Sequence, residues 1–330
     1  MGTVFAAEAS PVMPSPPMPG MPVSPPVTAT APAGVGSEST AAGNGGLPNP
    51  GSFEDLFKKV KEVFPQPIEG CKMVINKGLS NHFQISHTLS LGAFSPSSYH
   101  FGTTYVGSNQ ISPSEAYPVM LGDIDTSGSL NAQIITQLAN RLRGKVVVQT
   151  QQTKWAVYQG EVEYKAPSFT GTLTAANINP LEGSGIIVAH YLQSVSERLA
   201  LGAEVLFHYG QGQQATVPSL AGKYSSNNWI ASGTLGMTAC HAAYYHKGKD
   251  VQFGVEFESN FRAQESALAF GYQVDINQAN VTIKGMLDSN WTVAAVMEKR
   301  LQPLPFTFLL SAVLNHWKSQ YRVGFGLMIG

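Results

Sequence analysis

Along most of this chain apolar and polar side chains change places at every residue. Phe83, Ile85, Leu89 and Leu91 alternate with Gln84, Ser86, Thr88 and Ser90. Phe169, Gly171 and Leu173 alternate with Thr170, Thr172 and Thr174, and Leu199, Leu201, Ala203, Val205 and Phe207 with Gly202, Glu204 and His208. The same rhythm runs through Val251, Phe253, Val255 and Phe257, through Val281 and Ile283, and through Phe306, Phe308, Leu310, Ala312 and Leu314. A period of two predicts β-strands with one greasy and one wet face. Turn-forming runs such as Asp125-Thr126-Ser127-Gly128, Lys247-Gly248-Lys249-Asp250 and Pro303-Leu304-Pro305 separate them. Residues 321–330 place Tyr321, Val323, Phe325, Leu327 and Ile329 on one face, with Arg322, Gly324, Gly326 and Met328 on the other. Such an unbroken apolar face is a poor sheet edge in water. It suits a strand that closes a barrel and turns its greasy side to lipid.

A helical period occurs once. Phe53, Leu56, Phe57, Val60, Val63 and Phe64 share a helix face, Ser52 with Asp55 three residues on reads as an N-cap, and Pro65 ends the run. Glu54–Lys58 and Asp55–Lys59 are expected as i,i+4 pairs on the opposite face. The preceding residues, 1–50, are rich in Pro, Ala, Gly and Ser, with Glu8 and Glu38 their only charges. They are expected to be disordered or PPII-like. Three regions follow: a disordered extension over 1–50, an amphipathic helix and linker over 51–70, and strands over 71–330. About 260 residues follow the helix; at roughly 14 residues per strand and turn they predict 18 or 19 strands. A barrel of that size encloses an aqueous channel.

Composition supports a membrane barrel over a helical membrane protein. Charged residues are 12% of the chain, half the share of an ordinary soluble domain at about 25%. Mean hydropathy is nonetheless near zero, and no apolar run reaches the roughly 20 residues that a spanning helix needs. The net charge of −1 gives no basic bias toward nucleic acid. Neither a secretory signal nor an arginine-rich transit peptide is visible at the N-terminus.

Charge parity then fixes which face is wet. A Lys or Arg on the lipid face near mid-membrane costs about 2–4 kcal/mol, so charged residues belong on the lumenal parity. Glu161, Glu163, Glu204, Glu256, Glu258 and Glu265 are the candidate pore-lining acids, and Arg141, Arg143, Lys145 and Lys284 the basic ones. A soluble sandwich would show the same alternation but would need two sheets with protected edges. His87, between Ile85 and Leu89, breaks the parity and is expected near an interface, at a local register error or at a subunit contact. Trp229 is a candidate aromatic-belt anchor or a contact for a partner helix.

Other motifs fail on spacing. Asp123-Ile124-Asp125-Thr126-Ser127-Gly128 starts like a calcium loop but has Ile134 where the bidentate acid belongs. Gly183-Ser184-Gly185 is no nucleophile elbow. Cys71 and Cys240 make no disulfide framework, and the eight histidines show no metal-ligand spacing. Nothing points to an enzyme, a cofactor or a metal.

Several runs carry a resemblance. They include Asn76-Lys77-Gly78-Leu79-Ser80-Asn81-His82-Phe83, Gly128-Ser129-Leu130-Asn131-Ala132-Gln133, Val188-Ala189-His190-Tyr191-Leu192-Gln193-Ser194, Ser219-Leu220-Ala221-Gly222-Lys223-Tyr224, Gly254-Val255-Glu256-Phe257-Glu258 and Asp288-Ser289-Asn290-Trp291. Together they resemble animal forms of the channel-forming subunit of the mitochondrial outer-membrane protein translocase, from residue 53 onward without large gaps. The resemblance implies a nineteen-stranded barrel with its first and last strands parallel, an odd count already known in a mitochondrial barrel. It implies a helix in or near the pore and both termini on the intermembrane-space side. It also implies a barrel sorting signal in Arg322, Gly324, Phe325 and Leu327. The partners it implies are receptor and small helical subunits, a second copy of the barrel, precursor proteins in transit and membrane lipid. A metabolite porin of the voltage-dependent anion type is the alternative on the same architecture.

Overall fold

The computed structural model describes residues 47–92, 96–112, 115–152, 154–179, 183–210 and 213–330. Residues 1–46, most of the Pro-rich extension, lie outside the described residues. The alternating runs form nineteen strands: β1 (Gly70–Gly78), β2 (Phe83–Leu91), β3 (Ser98–Ser112), β4 (Glu115–Asp125), β5 (Leu130–Ala139), β6 (Leu142–Gln151), β7 (Lys154–Lys165), β8 (Phe169–Asn179), β9 (Ser184–Ser194) and β10 (Leu199–Gly210). The rest are β11 (Gln213–Ser225), β12 (Trp229–Gly236), β13 (Ala239–Lys247), β14 (Val251–Asn260), β15 (Glu265–Ile276), β16 (Val281–Asp288), β17 (Thr292–Leu301), β18 (Phe306–Asn315) and β19 (Gln320–Ile329). Each pairs antiparallel with the next. The sheet closes where β1 runs parallel to β19, from Gly70 opposite Gly324 to Ile75 opposite Ile329. Closure leaves no unpaired edge, as an all-strand structure in lipid requires.

Among the described residues no helix is long and apolar enough to cross a membrane. Leu201, Val205, Leu220, Phe257, Phe270, Leu310, Val323 and Phe325 are all exposed. On an outer barrel wall that is the expected state, because lipid rather than protein covers them.

The helical stretch is shorter and more broken than its period implies. A single 3-10 turn (Glu54–Leu56) is followed by α1 (Lys58–Val63), and Phe57 between them sits at φ −108°. Neither segment has a side-chain cap on its backbone. The Ser52 hydroxyl instead donates to the Asp55 carboxylate at 2.7 Å. The expected i,i+4 pairs are replaced as well: Lys58 approaches Asp55 at 4.0 Å, and Glu54 reaches Lys145 on the barrel at 3.5 Å. Contacts with the wall, summed over one short segment, outweigh the few tenths of a kcal/mol that a solvent-exposed helical pair contributes. At the far end Phe64 turns extended (ψ 138°) ahead of Pro65, as the sequence predicts.

Candidate functional site

Residues 47–68 run around the inside of the barrel, crossing strand after strand. Asn49 donates to the Ala166 carbonyl beyond the end of β7, the Ser194 hydroxyl donates to the Pro48 carbonyl, and Lys223 donates to the Pro50 carbonyl at 3.2 Å. Leu56 then packs on Leu192, Ala200 and Ala221, and Val60 and Val63 on Ala243 and Tyr245. The small wall residues are what let a helix lie close to the sheet. Lys284 donates to the Glu62 carbonyl at 2.8 Å near the end of α1, where basic groups are favourable.

The strap ends on β18 and β19. The Ser311 hydroxyl accepts from the Ile68 amide at 3.0 Å and donates to the Ile68 carbonyl. A methyl group at Gly324 would collide with that same carbonyl. Gly324 therefore has a packing requirement of its own, on the lumenal face of the closing strand. Arg322 shares that face and lies 3.5 Å from Glu69, whereas Phe325 and Leu327 point outward.

Two aromatic stacks join the helix to the wall. Phe53 lies on His190 with ring centroids 4.5 Å apart, and Phe57 lies on His241 at 3.9 Å. A carboxylate backs each imidazole: Glu204 at 2.9 Å from His190, and Glu256 at 2.7 Å from His241. At His241 a second acid is present, Glu258 at 3.6 Å. Glu256 and Glu258 thus sit on the lumenal face, together with Glu204.

The remaining acids differ in their surroundings. Glu161 and Glu163 are only 4% and 1% exposed. Glu163 pairs with Arg143 at 2.7 Å and Lys165 at 3.8 Å, while Glu161 pairs with Lys145 at 3.3 Å. Lys145 in turn reaches Glu54 at the start of the helical segment. Glu265 is the exposed first residue of β15, opposite Asn260. Arg141, expected among the pore-lining cations with Arg143 and Lys145, does not lie on a strand. It occupies the turn between β5 and β6 and is exposed, because β6 begins only at Leu142.

These geometries fit one known family. The eukaryotic porin family matches residues 49–324. The chain is a eukaryotic porin. It is 53% identical to the human protein named mitochondrial import receptor subunit TOM40 homolog, across 92% of this chain and 84% of that one. Identity is 50% to the Xenopus tropicalis protein of the same name across the whole of both chains. To the human mitochondrial import receptor subunit TOM40B it is 47%, across 86% of this chain and 92% of that one. Identity of this extent places this porin among the import-subunit homologues of the family.

On the outer wall of the porin, His87 sits at the middle of β2. The ladders on both sides of β2 are continuous, so no register slip accounts for it. Its Nδ1 lies 2.7 Å from the Tyr99 hydroxyl and its ring 5.2 Å from that of Phe101. The Tyr99 hydroxyl thereby partners one ring nitrogen, as a polar group that faces lipid requires. Trp229 opens β12 and stacks on Tyr224 at 4.9 Å and against Tyr244 at 5.9 Å. That row of rings lies on the face opposite the lumenal Ile230.

Sequence reasoning missed His190, His241, Lys223, Ser311 and Asn49. The two histidines gave no clear signal, since His190 shares its face of β9 with Ile186, Val188 and Leu192, and His241 its face of β13 with Ala239, Ala243 and Tyr245. Their acid partners, 14 and 15 residues further on, become visible only when the register of each hairpin is known. Spacing along the chain likewise does not reveal which histidines and acids the hairpins bring together. Among the described residues His241, Glu256 and Glu258 do converge, with one ligand atom from each within 4.8 Å of the others.

Proposed function

We propose that this porin is the protein-conducting channel through which unfolded, presequence-bearing precursors cross the mitochondrial outer membrane. Identity of at least 50% over most or all of the chain to proteins named as mitochondrial import receptor subunits carries this reading. The lumen supplies a mechanism. A barrel of this strand number leaves a water-filled passage, which can take an extended chain or a single helix about 10–12 Å across. Presequences are basic amphipathic helices. Glu256 and Glu258, joined by Glu204 and Glu265, would attract them, whereas Glu161 and Glu163 are already matched by cations. In water a charge pair at 4 Å is worth about 1 kcal/mol. An attraction that small draws cargo in and still releases it, as any conducting site must.

Transport of this kind needs no bond-making step, so the reading includes no catalytic role and no cofactor. Receptor and small helical subunits, with a second copy of the barrel, would dock on the outer wall; Trp229 with Tyr224 and Tyr244 is a candidate contact, as is His87. The polar–Gly–hydrophobic pattern of Arg322, Gly324, Phe325 and Leu327 would serve as the address for insertion of the barrel.

Simultaneous Glu256→Lys and Glu258→Lys substitution tests the mechanism. Import of basic presequence-bearing cargo is expected to slow more than import of presequence-free cargo, and equal slowing of both would count against it. Reversal potentials in a salt gradient separate this reading from a metabolite porin. Cation preference with block by a presequence peptide supports import, and anion preference without block supports the metabolite channel.

A further inference from the structure

The two stacks that seat the helix differ by one residue. At β9–β10 the histidine and its acid lie directly opposite each other, His190 to Glu204. At β13–β14 the residue directly opposite His241 is Glu258, yet the imidazole makes its short contact with Glu256, one step along the same face. A seat for an aromatic ring needs one carboxylate, as the first stack demonstrates. The second carboxylate is surplus to that role. Glu258 is 64% exposed to the lumen and Glu256 and His241 are largely covered, 17% and 18% exposed.

We propose that His241, Glu256 and Glu258 form a lumenal binding site for a divalent transition-metal ion, with Zn²⁺ the best match. One imidazole nitrogen and two carboxylate oxygens are ligands of the type Zn²⁺ takes, and three protein ligands leave a fourth position for water. Bonds of about 2.0–2.2 Å at tetrahedral angles set ligand atoms roughly 3.3–3.5 Å apart. The separations from Nε2 of 2.7 Å and 3.6 Å bracket that spacing, and all three ligand atoms lie within 4.8 Å of one another, so only small side-chain adjustments are needed. Phe57 on the ring face restricts the imidazole, which leaves less freedom to lose on binding. A bound dication would cancel the charge of both acids and so remove the attraction assigned to them above. That consequence rests on the channel reading, whereas binding itself does not.

The test is calorimetric titration of the full chain in detergent micelles with Zn²⁺ alone. One ion per chain is expected, released by a chelator. Glu258→Gln should weaken binding roughly tenfold or more, since loss of even an outer-shell partner commonly costs that much. The exposure of Glu258 makes this the variant least able to disturb folding. His241→Gln should abolish binding, and His190→Gln, the matching change in the other stack, should leave it intact. Absence of binding, or binding equally strong in Glu258→Gln and His241→Gln, overturns the site. A Zn²⁺-dependent shift of reversal potential toward anions, seen in the unsubstituted chain and lost in Glu258→Gln, would add the functional link. If calorimetry gives the expected pattern without that shift, the site stands and the acids' role in conduction falls.

Discussion

Across β6 and β7 three cations, Arg143, Lys145 and Lys165, meet three carboxylates, Glu54, Glu161 and Glu163. Across β13 and β14 two carboxylates share one imidazole. Apart from Glu54, which comes from the helical segment, both groups sit on the same face of the same sheet and obey the same alternation. The first is closed in on itself and ties down the start of the helical segment. The second leaves acid facing the passage. Parity therefore tells which charges enter the lumen, but the neighbours decide whether a charge is spent on structure or remains available to a passing ion or peptide.

Substitutions at the two patches should separate stability from conduction. The largest effect is expected for Arg143→Ala, which strips Glu163 of its nearest cation while the carboxylate stays buried. Breaking one partner of a buried pair costs about 3–5 kcal/mol, so the barrel should lose its heat-modifiable gel mobility at a lower denaturant concentration. Leu56→Ala comes next, at about 2–5 kcal/mol for a buried leucine. Its cost falls on docking of the helical segment, read as faster tryptic cleavage at Lys58, Lys59 or Lys61 with the strands still protected. Phe57→Leu removes the stack on His241, worth about 0.5–1.5 kcal/mol beyond burial, and should raise the same cleavage rate more modestly. Glu258→Gln should change stability by no more than about 0.5 kcal/mol, as for an ordinary exposed site, while still lowering cation preference in a salt gradient. If Glu258→Gln destabilises as much as Arg143→Ala, the contrast between the patches collapses.

The expected strand number follows from chain length and the lengths of a strand and turn, and the lumenal parity of the acids from a property of single strands. Glu256 and Glu258 differ from Phe253, Val255 and Phe257 in parity, and parity alone sends them to opposite faces. The helical segment was less legible. Its apolar residues announce a helix, but the break at Phe57 and the diversion of Glu54 to Lys145 exist because the wall offers His190, His241 and Lys145 at fixed positions. Arg141 shows the limit at strand ends, where the alternation continues into a turn that no longer follows it. His87 shows another limit: its parity is readable, but the Tyr99 hydroxyl that makes the position tolerable belongs to a different strand.

Alternation of side chains is set by the pleat of the backbone, one residue at a time, so the amino-acid sequence by itself determined the strands, their two faces and the closing character of residues 321–330. Which residues face each other depends on the register that each hairpin adopts, and the pairing of β1 with β19 is made only when the ring closes. Only the tertiary structure could therefore bring His241 to Glu256 and Glu258, bury Glu163 beside Arg143, and carry the Ile68 carbonyl past Gly324. The first two meetings turn on the exact register of a hairpin, and the third joins the segment ahead of β1 to the last strand of the barrel.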